Sequence, residues 1–305
     1  MSTEQPAIQC VAVIGAGQMG AGIAQVAARA GLTVSLSDQA EAQATRAVAT
    51  MEARLRRQET DGKLPAGAAS ELLGRIRTGG ALFGVPEADI IIEAAPEQLE
   101  LKIALFRSLS AQAKPSAILA SNTSSLSITR LARETARPEQ VIGMHFMNPV
   151  PVMKLVEVVR GTLTSDVTLA SVLELSKRFG KQSIVSQDRP GFLVNRILIP
   201  LLNEACFALE EGVGTQEDID AGARLGLGHP LGPLELADLI GLDTVLSIAE
   251  ILHRDFGDPK YRPCALLRNL VQAGLLGRKT GRGFYVYDQS GAKVPRTHET
   301  DVKKS

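Results

Sequence analysis

The sequence predicts an α/β protein, a doubly wound sheet followed by an all-helical C-terminal domain, and three observations carry this reading. Strand and helix signals alternate from Cys10 to about Ser186, as they do where each parallel strand is followed by a crossover helix. The first strand runs into GAGQMG, and Gly15, Gly17 and Gly20 have the spacing of a turn that opens a helix onto a phosphate. Beyond QDRP, residues 187–190, strand signals nearly vanish and helix signals recur. These shifts divide the chain into a Rossmann-type domain over 1–187, a helical domain over 188–287 and a polar C-terminal tail over 288–305.

A chain of 305 residues with 45% hydrophobic content has material for two sizeable cores. Lys plus Arg and Asp plus Glu each total 33, so overall charge points to neither nucleic acid nor a membrane surface as a partner. Cys10, Cys206 and Cys264 are widely spaced and lack CxxC pairing, so no disulfide framework and no metal site is expected. The polar start MSTEQPAIQ and the shortness of the apolar runs argue against a membrane span. A cytoplasmic protein is the expectation.

Taken in order, Cys10–Ile14 is a β-branched strand, and the helical pattern after it runs to Ala30 and stops at Gly31. In such a turn the first glycine permits the sharp bend, the second lets the backbone approach a pyrophosphate, and the third lets the helix pack on the strand. The helix start at Gln18 and Met19 offers free N–H groups to the phosphates. The next strand, LTVSLS, ends at Asp38, 23 residues after Gly15, where a carboxylate accepts from ribose hydroxyls. No arginine follows Asp38 to compensate a 2′-phosphate, so NAD is expected over NADP. A glycine turn of purely structural use would need neither the strand–helix setting nor the acid.

A helix from Ala40 to about Arg57 has a basic far end, Arg54, Arg56 and Arg57, with Lys63 in the following turn; cations there also suit a solvated helix end and its dipole. A second polar helix is expected over 68–77. DIIIE, residues 89–93, reads as a buried parallel strand. Pro96 then begins a turn, and Glu97 and Lys102 stand near the start of the next helix on the carboxyl side of the sheet, where ligands of open α/β sheets bind. The plainer reading is a helix-start carboxylate and an exposed lysine. Residues 117–120 form a strand ending in SNTSSLS, a run that caps the helix starting near Leu126 and can aim Asn122 and Ser124 at a nicotinamide and a substrate oxygen.

The stretch QVIGMHFMNPVPVMKLVEVVRG, residues 140–161, is central. It reads as a strand carrying His145, a loop punctuated by Asn148, Pro149 and Pro151, and a second strand carrying Glu157. An imidazole and a carboxylate on two joined strands make a candidate general base with its orienter; the competing reading is an interior histidine and a solvated glutamate. A helix over 166–179 and the strand KQSIVS complete the sheet. Four stretches after it read as helices, GFLVNRILIPLLNEACFALEEG, TQEDIDAGARLG, GPLELADLIGLDTVLSIAEILHRDF and ALLRNLVQAG, and GRGFYVY closes the domain. Asn195 lies in the first turns of the first of them. His229 in a turn, His253 late in a helix and His298 in the tail are not candidates for catalysis.

The segments VIGAGQMGAGIAQVAA, EAAPEQLELK, ASNTSSL, GMHFMNPVPVMKLVEVV, RPGFLVNRILIPLLNEA, EDIDAGARLGLGHPLGPLELADLIGLD and GRKTGRGFY follow one another over residues 11–287. As a set they resemble the L-3-hydroxyacyl-CoA dehydrogenases, particularly the bacterial 3-hydroxybutyryl-CoA dehydrogenases. The resemblance implies oxidation of a (3S)-3-hydroxyacyl-CoA by NAD, with His145 as acid/base, Glu157 as its partner, and Ser124 and Asn195 on the reacting oxygen. It implies NAD contacts from the glycine loop (Gly15, Gly17, Gln18, Met19 and Gly20), Asp38, Glu97, Lys102, Ser124, Asn148 and Lys279, beside the Asn122 contact read from SNTSSLS, an acyl-CoA substrate, and a homodimer through the C-terminal domain. Arg54, Arg57 and Lys63 are assigned to the CoA phosphates by charge and place alone. A dehydrogenase of a free hydroxy acid would keep this constellation without a basic CoA site. A non-catalytic NAD-binding protein would tolerate loss of the His145–Glu157 pair, which this chain retains.

Overall fold

A computed structural model describes residues 8–294, and the chain falls into two compact units that meet in sequence at Leu193 and Val194. The first is built on one sheet of eight strands: β1 (Cys10–Ile14), β2 (Thr33–Ser37), β3 (Ile76–Gly79), β4 (Ile90–Glu93), β5 (Ile118–Ser121), β6 (Val141–Phe146), β7 (Leu155–Arg160) and β8 (Gln182–Gln187). Their order across the sheet is β3-β2-β1-β4-β5-β6-β7-β8. All neighbours pair parallel except β6 and β7. The loop 147–154 between those two is too short to hold a crossover helix, so β7 returns antiparallel.

Alternation along the strands divides the apolar residues between two faces. Val11 and Val13 of β1, Ile90 and Ile92 of β4, and Ile142 and Met144 of β6 pack with α1 (Gln18–Arg29), α2 (Glu41–Thr60), α3 (Ala68–Leu73) and α6 (Asp166–Arg178). Ala12, Ile91 and Leu119 point the other way and pack with α4 (Leu99–Gln112) and α5 (Ile128–Arg133). Burial on both faces is why the strands read as nearly continuous apolar runs. The helix expected over 68–77 is the one misreading of element type in this unit: α3 ends at Leu73 and Ile76–Gly79 is the edge strand β3, parallel to β2. IRTG carries a single large apolar residue, so its pairing with Val34–Ser37 leaves almost no pattern in the sequence.

The second unit holds α7 (Val194–Glu210), α8 (Gln216–Ala221), α9 (Pro233–Ile240), α10 (Leu242–Phe256) and α11 (Ala265–Gln272), with a π-helical turn over Gly222–Gly226. Their core includes Ile199, Leu202, Cys206, Leu234, Val245 and Leu252. The stretch expected as one helix from Gly232 to Phe256 breaks at Gly241, whose φ of 102° no L side chain adopts readily. GRGFYVY closes the unit through isolated bridges and through buried Asp238, which accepts from the N–H groups of Phe284 and Tyr285 and from the Tyr287 hydroxyl at 2.9–3.0 Å. His298, read as part of the tail, lies outside the described residues.

Two glycines of the first turn are fixed by close approach. Gly15 has φ 102° and its missing Cβ would lie 2.6 Å from the Ala94 carbonyl oxygen; a Cβ on Gly20 would lie 1.7 Å from the Gly15 oxygen. Gly20→Ala therefore has to pry α1 away from β1. We expect a loss of about 1–3 kcal/mol, the cost of an overpacked core, measured as a drop in Tm; an unchanged Tm would show that the turn has slack.

Candidate active site

Antiparallel pairing sets His145 directly opposite Glu157 on the same face of the β6–β7 ladder. His145 Nδ1 lies 3.1 Å from Glu157 Oε2, and both residues are buried. The solvated-glutamate reading thus fails: Glu157 has no exposed surface, and its charge is met by His145 and by the backbone N–H of Leu193, which donates to Oε1 at 2.6 Å. Acceptance by Glu157 keeps a proton on Nδ1 and leaves Nε2 as the ring's basic nitrogen.

The turns around His145 lie at the carboxyl ends of the parallel strands. After β1, Gly17 caps α1 without a side-chain hydrogen bond, and no acidic residue sits in the first turn, so the N–H groups at Gln18 and Met19 and the positive end of the helix are left for an anion. A Cβ on Gly17 would meet nothing within 4 Å; the backbone there is open to a close ligand. Asp38, just past β2, accepts from Ala16 N at 2.8 Å and Ala40 N at 3.2 Å, which ties the acid to the glycine turn. These features fit a dinucleotide laid over the junction of β1 and β4, where the strand order reverses.

After β4, a charged network underlies the next turn. Lys102 Nζ lies 2.5 Å from Glu93 Oε1, 3.1 Å from the Ala95 carbonyl and 3.4 Å from Glu97 Oε2, and Ser121 donates to Glu93 Oε2 at 2.6 Å. Lys102 is not the exposed lysine of the plainer reading: it and Glu93 are fully buried. Removing one partner of such a pair costs about 3–5 kcal/mol, because the other charge is stranded. Glu97 Oε1 collects the Thr123 hydroxyl at 2.6 Å, the Ser124 N–H at 2.8 Å, and the Ser124 hydroxyl, Ser125 N–H and Ser125 hydroxyl each at 3.1 Å. Burial alone would raise the Glu97 pKa; the Lys102 ammonium and the Thr123 and Ser124 donors outweigh it and hold the carboxyl below the usual range. Asn122 closes the turn, its side-chain oxygen accepting from Phe146 N at 2.9 Å.

Residues 10–189 match the family described as 3-hydroxyacyl-CoA dehydrogenase, NAD binding domain, and residues 191–287 match 3-hydroxyacyl-CoA dehydrogenase, C-terminal domain. The chain belongs to the 3-hydroxyacyl-CoA dehydrogenase family. It is 52% identical to the 3-hydroxybutyryl-CoA dehydrogenase of Bradyrhizobium diazoefficiens over 94% of this chain and 97% of that protein. It is 43% identical to the human mitochondrial hydroxyacyl-coenzyme A dehydrogenase, over 94% and 93%. The crystal structure of (S)-3-hydroxybutyryl-CoA dehydrogenase from Ralstonia eutropha superposes with a TM-score of 0.90 at 49% identity, covering 93% of this chain and all of that one. The chain is thus an NAD-dependent oxidoreductase of this family.

The first unit of the dehydrogenase brings together the glycine turn, Asp38, Glu97, Lys102, Asn122, Ser124, His145, Asn148 and Glu157. A groove of about 310 Å³ lies between α1, α2 and the Asn148–Pro149 loop, lined by Gly17, Gln18, Thr50, Met51, Arg54 and Asn148 among others. Arg54 reaches it while bonded to the Gln25 side chain. Arg57 is exposed in the last turn of α2, and Lys63 pairs with Asp61 at 3.3 Å; of the three basic residues only Arg54 lines the groove. Asn195 is buried in the first turn of α7, and Lys279 is held by both oxygens of Asp243 at 2.5 and 2.6 Å; both belong to the second unit.

Two supports of the site escaped the sequence reading. Glu93 could have been suspected from a carboxylate ending an otherwise apolar strand. Lys181 left no signal. It is buried and donates to the carbonyls of Val150 at 2.5 Å and Met153 at 2.6 Å, pinning the loop that carries Asn148; burial, with Arg29 nearby, pushes its pKa down.

Because the Glu97 pKa is depressed on folding, its ionisation stabilises the protein above the ordinary glutamate value of 4.5, and that contribution is lost as pH falls through the lower, folded value. Glu97→Gln should therefore lower Tm at pH 7, and the gap from the parent protein should close as pH falls from 4.5 through the lower, folded value. A gap of constant size over that range would remove the charge from the account.

Proposed function

We propose that this dehydrogenase interconverts short-chain (3S)-3-hydroxyacyl-CoA, with 3-hydroxybutyryl-CoA as the type substrate, and the 3-oxoacyl-CoA, and that His145 is its general acid/base. The observation that carries the proposal is the buried His145–Glu157 pair at the carboxyl edge of the sheet, beside a turn suited to NAD. When bound, NAD supplies the acceptor for the hydride leaving C3. His145 Nε2 takes the hydroxyl proton as that hydride departs, and Glu157 holds the ring through Nδ1 and stabilises the imidazolium that results. Ser124, placed by Glu97, and Asn195 orient the reacting oxygen; Asn122 and Asn148 face the nicotinamide.

The names and identities of the relatives support the acyl-CoA class, and the basic side chains Arg54, Arg57 and Lys63 are assigned to the CoA phosphates, Arg54 with the further support of its place on the groove. Exposed Ile197, Leu225, Leu227 and Leu239 of the second unit support a homodimer through that unit. Cysteines Cys10, Cys206 and Cys264 are free, which suits a cytoplasmic setting. Among the described residues no helix is long and apolar enough to cross a membrane.

The first test compares acetoacetyl-CoA with free acetoacetate as oxidants of NADH. We expect kcat/KM for the thioester to be higher by at least about two decades, since remote CoA contacts lend their binding energy to the reaction; equal turnover would leave a free hydroxy acid as the substrate. The second concerns the pair. His145→Gln and Glu157→Gln should each lower kcat by roughly two decades or more, with NADH binding retained, and the double variant should lose little beyond His145→Gln, because residues acting as one unit are not additive. Multiplicative losses would mean that the two side chains work independently.

A further inference from the structure

Glu157 divides its two oxygens between two tasks. Oε2 faces His145; Oε1 accepts from Leu193 N, 36 residues further along the chain. Leu193 is the last residue of the first unit, and Val194 opens α7. The backbone reaches Glu157 through a tight turn in which Arg189 N bonds Gln187 O and Phe192 N bonds Arg189 O, each at 2.8 Å. Gly191 and Phe192 have φ of 76° and 50°. Glycine adopts such values freely, but for a bulky aromatic residue the left-handed region is unfavourable and persists only where the surroundings compel it. What the conformation achieves is on both sides of Phe192. Its ring is buried and lies edge-on to His145, with centroids 6.0 Å apart at 61°, and the next peptide N–H meets the carboxylate that orients the same histidine. The turn is anchored from before by Asp188, which accepts from the Ser127 hydroxyl and from Ile128 N and Thr129 N at the start of α5.

We propose that Phe192 and the Leu193 peptide N–H are positioning groups for the catalytic pair: together they hold Glu157 and His145 in one arrangement, keep the ring proton on Nδ1, and join the base to the chain segment that leads into the second unit. The proposal rests on His145 being the base. Without the Leu193 N–H a buried carboxylate loses a donor and turns to find another; without the Phe192 ring, water gains access to the pair. A turn that merely packed would contribute to stability and leave the histidine as it was.

The test replaces Leu193 by its α-hydroxy acid analogue through nonsense suppression, which deletes one N–H, and adds Phe192→Ala and Phe192→Leu, the latter preserving apolar bulk. Steady-state kinetics use NADH and acetoacetyl-CoA, and ¹⁵N-histidine NMR reads the ring nitrogens of His145, assigned by loss of the signal in His145→Gln. We expect the ester and Phe192→Ala to lower kcat about tenfold, the scale of a small misplacement of reacting groups, with KM for NADH within about twofold. The His145 ring signals should move from a single Nδ1–H tautomer toward a mixture, and Phe192→Leu should recover most of both effects. A lowered Tm with unchanged kcat and unchanged ring signals overturns the proposal, whichever variant shows it. Full activity of His145→Gln would instead remove the base assignment itself, so the two failures are told apart.

Discussion

A carboxylate with no exposed surface has to be satisfied on every side, and Glu157 is the clearest case in this molecule. Burying such a charge costs several kcal/mol unless its oxygens are met by donors. The short loop 147–154 obliges β7 to run back along β6, the register of that return sets Glu157 against His145, and Lys181 pins the loop through two carbonyls. Each of these features has a local explanation, yet all converge on where one negative charge can be kept.

The same solution recurs along the carboxyl edge of the sheet. Asp38 takes the N–H of Ala16, Glu93 takes Ala95 N and Lys102, and Glu97 takes the whole Thr123–Ser125 turn. Loops that carry ligands need fixed shapes without the ladder bonds of a strand, and a carboxylate that gathers several N–H and hydroxyl donors supplies one. The acids of this region therefore shape backbone first, and the turns at this edge have their geometry set by the protein's own charges.

The parts of this design legible in the sequence are those written in neighbouring residues. The glycine turn, each apolar strand, the approach of Asp38 to the glycine turn and the His145–Glu157 pairing are each local to one or two successive strands, and the family resemblance carried NAD and the acyl-CoA class with them. The edge strand β3 was not legible, because IRTG earns its place only by pairing with β2. Neither was the role of Lys102, which looks like any helix lysine until Glu93 meets it, a carboxylate whose other oxygen is held by Ser121, 28 residues further along the chain. Lys181 and the Leu193 N–H were invisible for the same reason: a donor's value depends on which acceptor the fold delivers, and a backbone N–H has no letter of its own. The break at Gly241 was hidden by apolar periodicity that continues straight through it.

Asp238 in the second unit illustrates how such a charge orders events in time. Its donors, Phe284 N, Tyr285 N and the Tyr287 hydroxyl, come 46 to 49 residues later in the chain, and Gly283 must lack a side chain because a Cβ there would lie 2.0 Å from an Asp238 oxygen. During synthesis, α9 emerges from the ribosome with a carboxylate that cannot yet be buried at low cost. Asp238 has these three donors only once residues 284–287 are in place, so this short, irregular segment is the keystone of the second unit, and a chain interrupted ahead of it would leave the carboxylate without them.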